Sequence, residues 1–326
     1  MVHRFRLFRA GAFLLCCLPL WLSAHAEGKY PDKPVRLVVP FPAGGGTDTM
    51  ARTIGLALQQ ALGQPFLVDN KSGATGNIGT EFVARSPGDG YTLLVVPNSL
   101  AINKFLFPKL SFDPQRSFKP VALLGSSPVV VGVKASLPVN SVQELIAMAK
   151  KNPGKLSYAS CGSGSPQHIA GELFKMMAKV DLTHIPYKGC SPAAVDAAGG
   201  LVDVVFNTVA NIRPFVQSGK VRALAVTSAK RSALAPELPT VQESNLPGYD
   251  IDVWFGALAP AGTPDAVIAS LNAEITKTLA RPEIREGMEK ISYEPVGGSS
   301  KQFADVIQRD LVRYGAVISK AGIRVD

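Results

Sequence analysis

The sequence predicts an α/β protein of two domains, each built on a mostly parallel sheet flanked by helices. Three observations carry this. Apolar strand-like runs alternate with amphipathic helical stretches along nearly the whole chain. The 326 residues exceed one ordinary core and suit two domains. Four strand–helix junctions are glycine-rich, two in each half.

The first residues stand apart from this pattern. "MVHRFRLFRA" carries Arg4, Arg6 and Arg9 and no acid, "GAFLLCCLPLWL" is apolar, and "SAHA" ends on small residues. This reads as a secretory signal over residues 1–26, cleaved after Ala26. The apolar run is short for a membrane span. Bulky Leu15 and Cys16 precede the two cysteines of the run and argue against lipid attachment. The expected compartment is the periplasm.

The remaining chain of about 300 residues keeps 31 of the 34 basic residues against 25 acidic ones, a formal charge of +6 in place of +9. The excess is spread evenly, with no basic run interleaved with aromatics, which excludes a nucleic-acid binder. A modest positive balance suits anionic small ligands. Cys161, Cys190, His168 and His184 are the only cysteines and histidines left. Their spacing fits no metal site, and neither metal nor cofactor is expected.

Taken in order, "VRLVVP" (35–40) reads as a buried strand. Helix 48–62 sets Met50, Ile54, Leu58 and Leu62 on one face and stops at Gly63. "FLVDN" (66–70) and "YTLLVV" (91–96) are strands, with a helix near 77–86 between them. "FKPVALLG" and "PVVVGV" follow. Ser141 and Glu144 form a capping box for a helix that "KNPG" ends. "KLSYAS" is a strand, and "PQHIAGELFKMMAK" is a helix with Ser165 as cap and Pro166 first. "THIPY" and "LVDVVFN" are strands around a short helix from Pro192, capped by Ser191. "VRALAVTS" (221–228) is a strand, and 229–250 a long loop. "DVWFGALAPAGTP" (252–264) is a strand leading to a cap at Thr263.

Two or three amphipathic helices close the chain, one with the stripe Phe303, Ile307, Leu311, Tyr314 and Ile318. With no strands expected after them, they pack back on the first domain. The chain then crosses between domains near 120–130 and near 250–260. The domains are 27–125 with its return 251–326, and 126–250.

The junctions are "FPAGGGTD", "GATGNIG", "SCGSGSP" and "YKGCSP". A helix start leaves backbone N–H groups without partners and carries partial positive charge. Glycine lets the preceding loop bring further N–H groups close to a ligand. The product is a socket for a carboxylate or phosphate, placed at the strand ends where open α/β sheets bind ligands. Neither a G-x-G-x-x-G fingerprint nor a Walker motif occurs, so a nucleotide cofactor is not expected.

Catalytic motifs are absent: there is no G-x-S-x-G elbow and no H-E-x-x-H. Cys161, at a helix start near His168, is the one candidate nucleophile and would make the chain a periplasmic hydrolase. The competing readings are a plain loop cysteine and a disulfide to Cys190, which an oxidising compartment permits. Asp48 reads as a first-turn acid or a general base, and Trp254 as a ligand-stacking ring or hinge packing. No catalytic residue is assigned.

At these residues the chain resembles a known family. "YPDKPVRLVVPFPAGGGTDTMAR", "DNKSGATGNIGTEFVA", "DGYTLL", "YASCGSGSPQHIAGELF", "HIPYKGCSPA", "GKVRALAVTSAKR" and "LPTVQESNLPGYDIDVWFGALAPAGTP" are similar, in order and spacing, to the Bug family. These are extracytoplasmic receptors of tripartite tricarboxylate transporters. The resemblance implies a type II, Venus-flytrap periplasmic binding fold and carboxylate capture without catalysis. It places first-domain contacts at Phe41, Ala43, Gly44, Gly45, Thr47, Asp48, Ala74, Thr75 and Asn77. Second-domain contacts fall at Ser160, Cys161, Gly162, Ser163, Ser165, His168, Lys188 and Gly189, with Trp254 at the return. Asn207 stands where many relatives carry Asp; facing the cleft, it would leave an ammonium group unpaired and disfavour amino acids. The implied partners are a di-, tri- or aromatic carboxylate and a membrane permease, the receptor being a monomer. A sensor kinase reading the closed form is the alternative partner.

Overall fold

A computed structural model describes Met1 and residues 30–324. The signal segment read at 1–26 lies, beyond Met1, outside the described residues.

The first lobe grows from β1 (Val35–Val39), whose residues are buried on both faces except Arg36. It pairs in parallel with β2 (Phe66–Asn70) and β3 (Thr92–Pro97). Parallel neighbours need a crossover. α1 (Gly46–Leu62) and α2 (Asn77–Ala84) supply it. α1 buries Met50, Ile54 and Leu58 and ends on left-handed Gly63, whose N–H caps the Gln59 carbonyl. α3 (Ser99–Leu106) follows β3.

The chain then leaves the lobe on one long strand, β4 (Phe118–Lys134). The second lobe comprises α4 (Val142–Lys151), β5 (Ser157–Ser160), α5 (Pro166–Ala178), β6 (Thr183–Pro186), α6 (Cys190–Ala198), β7 (Val204–Thr208), α7 (Val209–Gln217) and β8 (Val221–Val226). β5 pairs in parallel with β6 and β7, while β7 and β8 run antiparallel to β4. β9 (Asp252–Pro260) returns between β3 and β4, antiparallel to both. α8 (Asp265–Leu279), α9 (Pro282–Lys290), β10 (Glu294–Pro295) and α10 (Ser300–Ala321) complete the chain. The continuous order is β2-β1-β3-β9-β4-β7-β5-β6.

The crossing is sharply defined. β4 pairs with β9 up to Pro128 and with β7 from Val129. Thr227, fully buried, ties the two passages. Its N–H donates to the Val129 carbonyl at 2.9 Å, and its own carbonyl accepts from Ile251 N–H at 2.9 Å.

Several elements differ from expectation. "FKPVALLG" and "PVVVGV" are one strand. α3 was not foreseen because Leu100, Ala101, Ile102 and Leu106 are all buried, leaving no clean polar face. α7 carries Pro214 inside it, which masks a helical pattern. α6 starts at Cys190 after Gly189, so Ser191 is not its cap, and α8 is capped by Pro264 rather than Thr263. β10 is a strand among the closing helices, between α9 and α10, pairing with β4 at Gly125 and Ser126. The α10 stripe Phe303, Ile307, Leu311, Tyr314 and Ile318 is buried as expected. α10 packs on α3 and β4 but also on α5, so it bridges both lobes.

Candidate functional site

A cleft of about 730 Å³ lies where the glycine-rich junctions of both lobes meet. On the first lobe it is lined by residues 41–47, from Phe41 through Ala43, Gly44 and Gly45 to Thr47, and by Thr75. Gly45 is extended and gives α1 no side-chain cap, so no cap side chain satisfies the first-turn N–H groups, and Gly46 and Thr47 of that turn line the cleft. Gly44 needs its left-handed φ of +80° to make the approach.

Asp48 holds this loop from below. Its carboxylate accepts from Gly44 N–H at 2.9 Å, Arg52 Nε at 2.9 Å and Asn70 Nδ2 at 3.0 Å. Asn70 Nδ2 also donates to the Phe41 carbonyl at 3.1 Å. Burial would raise the Asp48 carboxyl, but these donors outweigh it and hold its pKa below the usual value. Asp48 is 3 % exposed and points away from the cleft, which removes it as a general base.

The second loop is held in left-handed backbone over Gly73, Ala74, Thr75 and Gly76. Asn103 of α3 pins it, donating to the Thr75 carbonyl at 2.9 Å and to Asn77 Oδ1 at 2.7 Å. Thr75 alone of this group reaches the cleft; Ala74 and Asn77 do not.

On the second lobe Cys161, Gly162, Ser163, Ser165, Lys188 and Gly189 line the wall. Cys161 and Cys190 are joined as a disulfide, Cα atoms 4.3 Å apart. It ties the β5–α5 loop to the start of α6 and consumes the thiol, which corrects the nucleophile reading of Cys161. Ser165 caps α5, accepting from His168 N–H at 3.2 Å. α6 starts after Gly189 with no side-chain cap.

Four expected contacts lie behind this wall or beyond it. His168 is buried, its Nδ1 accepting from Gly164 N–H at 3.0 Å. Ser160 is buried, its Oγ 2.7 Å from His184 Nε2. Asn207 is fully buried and donates to the Cys190 carbonyl at 2.8 Å. It supports α6 and does not face the cleft, so its identity says nothing about an ammonium partner. Trp254 is 2 % exposed, and its indole N–H donates to Asp310 at 2.6 Å on the far side of β9. Its neighbours Val253 and Phe255 face the cleft instead, as strand alternation requires.

Sequence reasoning missed Ser99, Gln167, Thr208, Asn211, Phe255 and Tyr293 in the lining. Alternation about Trp254 could have found Phe255. Nothing local marks Tyr293, which arrives from the α9–β10 connection. Among the described lining residues Lys188 is the one charged side chain, and no carboxylate lines the cleft.

Residues 50–323 match the family model described as tripartite tricarboxylate transporter family receptor. The chain is 36 % identical over 298 residues to protein BugT of Bordetella pertussis, covering 91 % of each. The fold matches R. palustris Rpa4515, solved with adipate, at TM-score 0.81 and 37 % identity, over 91 % of this chain and 100 % of that one. It matches MatC from Rhodopseudomonas palustris, with bound malate, at TM-score 0.76 and 32 % identity, over 89 % and 100 %.

Proposed function

The chain belongs to the tripartite tricarboxylate transporter receptor family, and on that premise we propose that it captures an organic carboxylate in the cleft and delivers it to a membrane permease. The observation that carries the reading is the pair of uncapped helix starts, α1 and α6, opening on one cleft whose lining holds Lys188 and no acid. Backbone N–H groups at helix starts favour an anion, and in a closed, water-poor cleft each charge-assisted hydrogen bond strengthens. The ligand contacts are Phe41, Ala43, Gly44, Gly45, Thr47 and Thr75 from the first lobe and Cys161, Gly162, Ser163, Ser165, Lys188 and Gly189 from the second. The working units are 27–125 with 251–326, and 126–250, closing about Thr227 and Val129. Export by the 1–26 signal puts the receptor in the periplasm, where related proteins work.

Adipate and malate, the ligands of two relatives, make di-acids of that size the first class to test. Isothermal titration calorimetry of residues 27–326 against mono-, di- and tricarboxylates and amino acids is the experiment. Saturable binding of one carboxylate class supports the reading. Binding confined to amino acids, or silence across a panel with ligand-free protein, overturns it.

A further inference from the structure

Tyr293 lines the cleft with a hydroxyl that has no protein partner among the described residues. Its side chain is 7 % exposed, it lines the cleft, and its Oη makes no hydrogen bond with any described residue. The hydroxyl is not among the described buried polar atoms that lack a partner, so the little surface Tyr293 exposes includes its Oη, which is open to a partner from the cleft. The position is specific. A Cβ built on Gly46 would collide with Tyr293 Oη, so the hydroxyl sits against the first residue of α1.

The backbone holds the phenol there firmly. Ser292 adopts a left-handed φ of +64°, and its carbonyl accepts from Ser127 Oγ at 3.1 Å. Tyr293 N–H donates to the Met288 carbonyl at 2.9 Å. The next two residues are β10, paired to β4 at Ser126 and Gly125. Phe255 packs edge-on to the ring, centroids 5.2 Å apart. The ring is therefore fixed to the crossing strand on one side and to the cleft wall on the other.

We infer that Tyr293 is a ligand-binding residue, donating its hydroxyl to the carboxylate seated at the start of α1. This rests on the carboxylate-receptor reading and adds a contact that the glycine-rich loops do not supply. Burial pushes the phenol up to about 12, so it stays a neutral donor at working pH. The helix start beside it carries partial positive charge, which selects an anion as the acceptor. With Phe41 and Phe255 on the same cleft, the carbon body of the acid lies against aromatic faces while the carboxylate meets the N–H groups and the phenol.

The test compares wild type, Tyr293→Phe and Gly46→Ala by calorimetry against a panel of adipate, malate, citrate and benzoate. Melting of the ligand-free proteins is measured alongside. Tyr293→Phe is expected to bind the wild-type ligand roughly tenfold or more weakly, the loss of one hydrogen bond to a charged group. Its ligand-free melting temperature stays level or rises, because the hydroxyl has no protein partner to lose. Gly46→Ala, which displaces the phenol, weakens the same ligand. Undiminished affinity in Tyr293→Phe overturns the assignment and leaves the receptor reading standing, as does a fall in its ligand-free melting temperature with affinity intact, which marks a structural hydroxyl. A wild-type protein that binds no acid of the panel overturns both readings together.

Discussion

The imidazole of His168 stacks on that of His184 with ring centroids 3.8 Å apart and planes 7° from parallel. Tyr158 stacks on His184 at 4.8 Å. Each imidazole also holds a residue of the second-lobe loop: His168 Nδ1 takes the Gly164 N–H, and His184 Nε2 meets Ser160 Oγ. The loop that lines the cleft thus rests on a pair of uncharged rings.

Acid is expected to loosen this lobe. Burial lowers His168 from 6.5 to about 3, with His184 and Lys175 adding to it. Burial lowers His184 from 6.5 to about 4, Glu172 opposing. Below 6.5 the unfolded chain takes protons that the folded chain refuses, so stability falls as pH drops from 6.5 towards 4 and 3. Asp252, which burial raises from 3.8 to about 7, works in the opposite direction, losing its contribution as pH rises through 7. His168→Asn keeps an acceptor near Nδ1 and removes one titration. Its melting temperature between pH 7 and 4 is expected to fall less steeply than that of wild type; parallel curves would refute the role of His168.

Thr47 lies in the first turn of α1, is 6 % exposed and lines the cleft. Thr47→Ala is expected to cost about 1–2 kcal/mol of ligand binding, roughly five- to thirtyfold in Kd. Its fold should stand. Ser163→Ala, on the exposed part of the other wall, should cost less. Calorimetry of both variants, with melting curves, checks the ranking.

The Cys161–Cys190 disulfide closes a loop of sequence separation 29. Chain entropy sets its contribution at about 3.6 kcal/mol. The double variant Cys161→Ser, Cys190→Ser is expected to melt several degrees lower in urea or heat. It should also bind ligand more weakly, since the β5–α5 loop and the start of α6 are then no longer tied. Equal melting of the variant, or of wild type with and without reductant, would show the bridge to be dispensable.

Trp254→Phe removes the donor to buried Asp310, whose remaining ion-pair partner is Arg309 at 3.3 Å. A loss of about 1–3 kcal/mol in stability is expected, with ligand affinity within twofold of wild type. A large drop in affinity would return the ring to the cleft.

The backbone course of both lobes was legible wherever local chemistry decides it. The apolar run at 35–39, the Gly63 stop, the Ser165–Pro166 start and the α10 stripe each follow from neighbours in sequence. α3 and α7 were not legible. One is buried nearly all round and the other contains a proline, so neither shows a two-faced pattern. In the site, the loops were found and the orientation of single side chains was not. Asp48, His168 and Asn207 have the right types at the right places, and each turns inward to brace a loop.

The sequence by itself determined the α/β alternation and the glycine-rich helix starts, because spacing and local conformational freedom are properties of adjacent residues, and its motifs carried the resemblance to the family. Only the tertiary structure decided which side chains meet the cleft. Asn70 claims Asp48 from 22 residues away, Asp310 claims Trp254 from 56, and β10 carries Tyr293 to the start of α1. A polar side chain goes to whichever partner burial leaves it, and those partners are brought near only when the lobes fold.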